Sequence, residues 1–117
     1  MWNNVFEQGN EVVVATASKK GEPHAVVVIS LGLVNERLLL AACQMTTTVK
    51  NIKDTGRACV VGHKGKEYYR LKGKATLHSS GEYFDMAKRR NKGPGMKQAI
   101  TVSMEEVFDL DKIKKVF

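Results

Sequence analysis

The tightest constraint on the fold is a ten-residue run, 69–78, in which apolar and polar side chains alternate. The apolar set is Tyr69, Leu71, Gly73, Ala75 and Leu77, and the polar set is Arg70, Lys72, Lys74, Thr76 and His78. A period of two over this length predicts a strand with one buried and one exposed face. The glycine within it predicts a bend or the close approach of another backbone.

Five further segments have the β-branched or apolar composition of strands. They are Glu11–Ala17, 23–34, 38–42, 58–62 and 97–108. The apolar middle of segment 23–34 predicts burial on both faces of that strand. Turns at 18–22 and 35–36 join these segments as antiparallel hairpins.

Short helices are predicted between the strands. One opens the chain, capped by Asn3 or Asn4 and running to about residue 8, and another spans Thr46–Thr55. For the second, Thr46 or Thr47 is the predicted N-cap and Gly56 the stop.

A capping box at 79–82 starts a third helix, which ends with cations near Arg90, and Asp109 caps a terminal helical turn. The fold class is therefore mainly β: a six-stranded antiparallel barrel with two or three short helices. A chain of 117 residues is long enough for one domain with its own core, spanning 1–117.

Charge and cysteine content narrow the functional classes. Lys and Arg total 19 against 12 Asp and Glu, and ten of the cations lie in windows 64–74 and 88–97. Two solvated faces that keep the protein in solution are the first explanation of this charge, and an anionic partner is the alternative. Cys43 and Cys59 form no metal or redox motif and are predicted to be small buried residues.

With no signal-peptide pattern and no membrane-length apolar stretch, a cytoplasmic protein without membrane contact is expected.

No catalytic or metal motif is present in the sequence. The three histidines, His24, His63 and His78, lack metal-ligand spacing, and none of the nucleophile, zinc or nucleotide signatures occurs. We therefore predict no metal site and no catalytic side chain. If the chain is an enzyme, a cofactor supplies the chemistry.

The start of the second helix is a candidate anion site. Thr46, Thr47, Thr48 and Lys50 follow a buried strand directly, where free N–H groups and the helix dipole favour a phosphate. A plain threonine cap beside an exposed lysine is the alternative explanation.

Single-stranded nucleic acid is a weaker hypothesis. Tyr68, Tyr69 and Arg70 lie among lysines, as on barrels that stack bases. Aromatic residues make up only 7% of the chain, however, and the alternation places Tyr69 on the apolar face.

The order of motifs resembles the FMN-binding split-barrel family, the fold of pyridoxamine 5'-phosphate oxidase, and is closest in size to the small FMN-binding proteins. The motifs are Val-Val-Val-Ala-Thr-Ala-Ser at 12–18, Gly-Glu-Pro-His at 21–24, the strand at 38–42, the segment 46–52, Leu-Lys-Gly-Lys-Ala at 71–75 and Ile-Thr-Val at 100–102. The resemblance covers essentially the whole chain.

This resemblance implies a homodimer that holds FMN in a groove between two barrels. The positions matching the family's phosphate segment are Thr46, Thr47, Thr48, Lys50 and Asn51. Many relatives carry a lysine where this chain has Thr48. The positions matching the strands around the isoalloxazine ring are His24, Ala25, Val26, Val27, Val28, Ala41 and Ala42.

Contacts from the partner subunit match this chain by position at Tyr68 and in the segment 93–97, which includes Met96 and Lys97. Lys97 or Arg90 is a candidate for positive charge near the flavin. The implied function is electron transfer or a small flavin-dependent oxidoreductase with an unknown redox partner or substrate. Vitamin B6 oxidation is not expected, because the C-terminal substrate segment and its arginine–histidine pair are missing. The alternatives are a reductase that binds the deazaflavin F420 and a scaffold barrel that has lost its cofactor.

Overall fold

The computed structural model describes residues 2–117, which form nine strands, two α-helices and one 3₁₀ turn. The strands are β1 (Glu11–Ala17), β2 (Pro23–Ile29), β3 (Leu33–Val34), β4 (Arg37–Ala42), β5 (Arg57–Lys64), β6 (Glu67–His78), β7 (Gln98–Ser103), β8 (Glu106–Asp109) and β9 (Lys114–Lys115). The helices are α1 (Thr46–Thr55) and α2 (Glu82–Arg90), and the 3₁₀ turn is Trp2–Phe6. The mainly β, antiparallel prediction is confirmed, with more strands than the six expected.

The strands pair in the order β2-β1-β5-β6-β7-β4-β3, and β8 joins β6 to β9. The long strand β6 links the two halves, because its residues 67–74 pair with β5 and its residues 75–78 pair with β7. Gly73 lies at this junction, where a Cβ atom would overlap the backbone carbonyl of Ser103. The close approach predicted from this glycine is confirmed.

Inward-facing side chains of both halves form one core. Val12, Val14, Val60, Leu71 and Leu40 are all buried in it. The period of two predicted for 69–78 is confirmed, since Leu71, Gly73 and Ala75 are buried while the residues between them are exposed. Tyr69 packs against the core, as the alternation predicted.

The strand predicted over 23–34 is wrong in length and in burial. It ends at Ile29, because the chain then leaves β1 and exchanges hydrogen bonds with β4: Leu31 N–H donates to the Leu39 carbonyl, and Leu39 N–H to the Gly32 carbonyl, both at 2.9 Å. Burial alternates along β2 instead of covering both faces. Val27 is 64% exposed.

The strand predicted over 97–108 is interrupted. β7 and β8 both run along β6, but the register shifts by one residue between the pair Ala75↔Val102 and the pair Lys72↔Glu106. This shift marks a β-bulge at 104–105, where Glu105 N–H donates to the Lys72 carbonyl.

The N-caps predicted for α1 and α2 are wrong, although Gly56 ends α1 as expected, with a φ of 69°. The N-cap of α1 is Met45 rather than a threonine, and the N-cap of α2 is Gly81; no side chain makes a capping hydrogen bond at either helix start. The capping box at 79–82 therefore does not form.

The elements at the two chain ends also differ from the prediction. The opening helix is a 3₁₀ turn that ends at Phe6. Asp109 Oδ1 does cap a turn, accepting from the N–H groups of Asp111 and Lys112 at 3.0 Å, but that turn leads into β9 and not into a helix.

Helix α2 packs on the outer face of one half of the sheet. Its Ala87 is buried against Leu39 of β4 and Ala99 of β7. Neither α2 nor any other helix within residues 2–117 is long and apolar enough to cross a membrane.

Candidate functional site

A cavity of about 510 Å³ opens at the start of α1, where β4 ends; we name it the α1 cavity. The residues that line it include Ala42, Cys43, Thr46, Lys50, Lys53 and Lys97. Its size falls within the range of small-molecule and cofactor sites.

The α1 cavity is positively charged. Three lysines, Lys50, Lys53 and Lys97, line it against one acid, Asp54. Lys50 Nζ donates to Asp54 Oδ2 at 2.9 Å, and this hydrogen bond lowers the pKa of the Asp54 carboxyl. The surplus of cations suits an anionic ligand.

The start of α1 adds hydrogen-bond donors to this charge. The first i to i−4 bond runs from Val49 N–H to the Met45 carbonyl at 2.9 Å, and no side chain caps the helix. The N–H groups of Thr46, Thr47 and Thr48 precede that bond, at the positive end of the helix dipole. A phosphate at this point would find donors and positive charge together.

Apolar side chains form part of the remaining lining, together with the polar residues Gln44 and Gln98. Met45 and Val49 of α1 line the α1 cavity beside Ala42 of β4, and Lys97 N–H donates to the Ala42 carbonyl at 2.9 Å. That bond ties the segment before β7 to the end of β4. The α1 cavity is therefore lined by both apolar and cationic side chains.

Four of the residues predicted for the site line the α1 cavity together: Ala42, Thr46, Lys50 and Lys97. Thr47 is exposed, whereas Thr48 and Asn51 point into the protein. Asn51 Nδ2 donates to Thr16 Oγ1 at 3.0 Å, which anchors α1 to β1. The hydroxyl of Thr48 is buried and has no hydrogen-bond partner among the described residues.

The β2 residues predicted for the site divide between two faces. His24, Val26 and Val28 are half-buried, the two valines packing against the core, while Ala25 and Val27 are exposed on the outer face. Within residues 2–117, β2 pairs only with β1, so its other edge presents unpaired backbone groups. Ala41, also predicted, packs beside the cluster that α2 covers.

Tyr68 lies far from the α1 cavity within one chain. His78, at the far end of β6, pairs with Ala99 next to the cavity residue Gln98. Ten residues separate Tyr68 from that point, a length of about 30 Å along the strand. Tyr68 instead stacks on His63, with ring centroids 4.4 Å apart.

The two remaining residues also lie outside the α1 cavity. Met96 packs beside Leu39 and Ala99 under α2. The guanidinium of Arg90 donates to the Leu31 carbonyl at 2.9 Å and, unlike Lys97, does not line this cavity.

Sequence reasoning missed seven of the eleven residues that line the α1 cavity, among them Lys53 and Cys43. Lys53 is three positions after Lys50, a spacing that places both on one helix face and could have identified it. Cys43 is half-buried rather than buried, and its Sγ lies 3.8 Å from Asn91 Nδ2.

Cys59 is half-buried as well, and burial raises the pKa of its thiol. Residues 2–117 contain no group of three or more His, Cys, Asp or Glu side chains arranged for a metal ion.

Comparison with known proteins identifies the family. The chain matches the family model described as pyridoxamine 5'-phosphate oxidase over residues 2–111. No curated protein sequence matches it.

Solved structures share the fold. HupZ from Group A Streptococcus is 20% identical, with a TM-score of 0.87 over 98% of this chain and 95% of that one. An FMN-binding protein from Syntrophomonas wolfei is 18% identical, with a TM-score of 0.74 over 92% and 80%. A heme binding protein from Mycobacterium smegmatis is 16% identical, with a TM-score of 0.68 over 92% and 50%. The family match covers most of the sequence and agrees with the split-barrel topology: the chain belongs to the pyridoxamine 5'-phosphate oxidase family.

Proposed function

We propose that this chain binds FMN in the α1 cavity and acts in electron transfer or as a small flavin-dependent oxidoreductase. One observation carries the proposal: the uncapped start of α1 opens into a cavity that is lined by three lysines and by apolar side chains. A flavin mononucleotide has the matching shape, a flat apolar ring on a chain that ends in a phosphate.

The phosphate would lie at the start of α1. The backbone N–H groups of Thr46 and Thr47, the Thr46 hydroxyl and the ammonium groups of Lys50 and Lys53 are the groups available to bind it. Thr48 occupies the position of the family lysine, but the chain itself covers its hydroxyl. A phosphate reaches that hydroxyl only if the first turn of α1 shifts, so we assign the larger role to the lysines.

The ring would extend from this phosphate towards β4 and the free edge of β2. Ala42 leaves space beside it, and unpaired backbone groups of β2 can bond to its polar edge. Lys97 brings a positive charge to the same cavity, which would stabilise the reduced, anionic ring by Coulomb attraction. Bound there, FMN supplies the capacity to accept and release electrons, which this chain's side chains lack.

A second copy of the chain completes the proposed site. On the outer face, Val27, Val13 and Val61 lie side by side across β2, β1 and β5, and Ile29 is also exposed there. An apolar face of this kind is typical of an interface between subunits. A homodimer would cover it and would allow Tyr68 of one copy to approach the flavin of the other. The two unpaired cysteines favour a reducing compartment, and we propose the cytoplasm.

The first test is an absorbance spectrum of the purified protein, repeated after adding FMN and desalting. Retained flavin bands support the proposal. A colourless protein that releases added FMN contradicts it and directs the same test to F420. A heme spectrum would instead match the activity named for the Mycobacterium smegmatis relative.

Two variants localise the phosphate. In Lys50→Gln and Lys53→Gln, loss of a charge-assisted hydrogen bond should raise the Kd for FMN about tenfold each. Lys88→Gln, exposed on α2 and outside the lining of the cavity, is the matched control and should leave the Kd unchanged. If all three variants bound FMN with equal affinity, as measured by flavin fluorescence, the proposed position of the phosphate at the start of α1 would be wrong.

A further inference from the structure

The side chains of α1 occupy two opposite faces of the helix. Those that line the α1 cavity are Thr46, Val49, Lys50, Lys53 and Asp54. Those that are buried beneath the helix are Thr48, Asn51 and Ile52. At about 100° per residue, the centres of the two sets lie about 180° apart around the helix axis. The rotation of α1 about its axis therefore decides whether its two lysines reach the cavity.

One directional contact sets this rotation. Asn51 is 3% exposed, and its Nδ2 donates to Oγ1 of Thr16 on β1 at 3.0 Å. Among the described residues, Asn51 is the only buried side chain of α1 that bonds to the sheet, because the hydroxyl of Thr48 has no partner. Ile52 packs in the core, but apolar contact has no preferred direction. A buried polar pair is the kind of contact that selects one arrangement of the elements it joins.

The start of α1 depends on this bond more than its end does. At the end, the carbonyl of Gly56 accepts from Ala75 N–H of β6 at 2.9 Å. At the start, no side-chain hydrogen bond caps the helix at Met45. The bond between Asn51 and Thr16 lies between these two points. It is the contact that orients the first turn, with its free N–H groups, towards the α1 cavity.

We infer that Asn51 and Thr16 are positioning residues for an anion at the start of α1. Neither side chain lines the α1 cavity. The bond between them turns the lysines of α1 and the free N–H groups of its first turn towards the anion. This role differs from the direct phosphate contact that the family resemblance implies for Asn51. The identity of the anion as the FMN phosphate rests on the proposed function.

The test compares the Kd for FMN with the Kd for riboflavin, which has the same ring without the phosphate. Thr16→Val keeps the shape of the side chain and removes the acceptor of the Asn51 bond. The Kd for FMN should rise about tenfold, because about one charge-assisted hydrogen bond to the phosphate is lost. The Kd for riboflavin should not change. Thr16→Ser keeps the hydroxyl and should restore the wild-type ratio of the two constants, both measured by flavin fluorescence.

Thr101→Val is the matched control. Thr101 is also a buried strand residue, and its Oγ1 lies 2.8 Å from His78 Nε2, outside the α1 cavity. Loss of that contact should leave the ratio unchanged. The double variant Thr16→Val with Asn51→Leu leaves neither partner unpaired, so it should fold and show the same tenfold loss. An equal rise in both constants would assign Thr16 a merely structural role and overturn the inference, as would an unchanged Kd for FMN.

Inorganic phosphate separates the inference from the proposed function. In flavin-free protein, millimolar phosphate should raise the Tm of the wild type and of Thr16→Ser more than that of Thr16→Val, compared with chloride at equal ionic strength. This difference in a protein that retains no flavin would contradict the proposed function and keep the positioning role. Flavin retention with the same ratio and the same phosphate effect in every variant would overturn only the inference. If phosphate has no effect on the wild type and FMN binds no more tightly than riboflavin, the start of α1 holds no anion and the inference is wrong.

Discussion

The two halves of the barrel have similar apolar strands, but their outer faces are covered differently. On β4 and β7, helix α2 packs over Leu39 and Ala99, and both are buried. On β1 and β2, no helix of the described residues covers Val13 and Val27, which stay exposed. The face of β4 and β7 is therefore buried by a helix of the same chain. The face of β1 and β2 has similarly apolar side chains, but no helix of the described residues buries them. The proposed homodimer supplies that cover.

The largest effect is expected at Gly73, where β6 passes from one half to the other. In Gly73→Ala, the new Cβ overlaps the carbonyl of Ser103, so the backbone of β6 or β7 must move. We expect a loss of about 4 kcal/mol or more in the free energy of unfolding, measured by urea denaturation. Gly93→Ala is the control: its nearest neighbour is Asn91 Oδ1 at 3.8 Å, and its stability should change by less than about 0.5 kcal/mol. A cooperative Gly73→Ala protein of normal stability would show that the halves are not tightly joined there.

The next effect concerns the uncovered half. Val27→Asp places an unpaired charge in the proposed interface, which costs about 3–5 kcal/mol when buried and should raise the dimer dissociation constant at least about 100-fold. Folding of the single chain should persist, because Val27 is 64% exposed. Sedimentation of the variant measures the change. The control is Thr76→Asp, at an exposed position of β6, which should sediment with the same molecular mass as the wild-type dimer. If the wild-type protein were a monomer at micromolar concentration, a second copy would not cover the exposed face of β1 and β2, and the proposed dimer would be wrong.

Truncation of an apolar side chain should destabilise the fold more in the covered half than in the uncovered half. Leu39→Ala removes a fully buried side chain under α2 and should lower the free energy of unfolding by at least about 2 kcal/mol. Ile29→Ala removes a similar side chain from the uncovered face and should cost less than half as much. Both are measured in the Val27→Asp background, so that dimerisation does not contribute. Equal losses would mean that the two outer faces are buried alike.

The same contrast explains which features the sequence could predict. The alternation of 69–78 and the glycines at 56 and 73 were predictable, since strand period and the absence of a Cβ act locally. Hydrophobicity alone does not distinguish Leu39 from Val27, because an apolar side chain is compatible with cover from its own chain or from another. The end of β2 at Ile29 is set by bonds to Leu39, a residue ten positions away.

The candidate site divides in a similar way. Thr46 and Lys50 were predictable, because a helix start after a buried strand is visible in the sequence. The inward direction of Thr48 and Asn51 was not, because packing of α1 against β1 fixes the rotation of the helix. The contact between Arg90 and Leu31 was missed for the same reason: the two residues are 59 positions apart and meet only in the folded chain.

The smallest expected effect is a pH dependence within the covered half. The ring of His78 packs 5.1 Å from that of Tyr83 on α2, and its Nε2 lies 2.8 Å from Thr101 Oγ1. Burial, and next the charge of Arg37, lower the pKa of His78 in the folded protein. The unfolded chain therefore binds a proton at higher pH than the folded one, so stability is full above a pH of about 6.5 and declines as the pH falls below it.

The Tm should accordingly drop between pH 7 and pH 5.5, and His78→Gln, which keeps a group able to bond Thr101, should show a shallower drop. The Asp54 and Asp109 carboxyls do not account for it, because their lowered pKa values place their titration below this window. His63→Gln, on the opposite hairpin, should keep the wild-type dependence. If the Tm of His78→Gln fell with pH as steeply as that of the wild type, the prediction would be wrong. The packing of α2 on the sheet would then depend on the apolar contacts of Leu39 and Ala87 and not on this histidine.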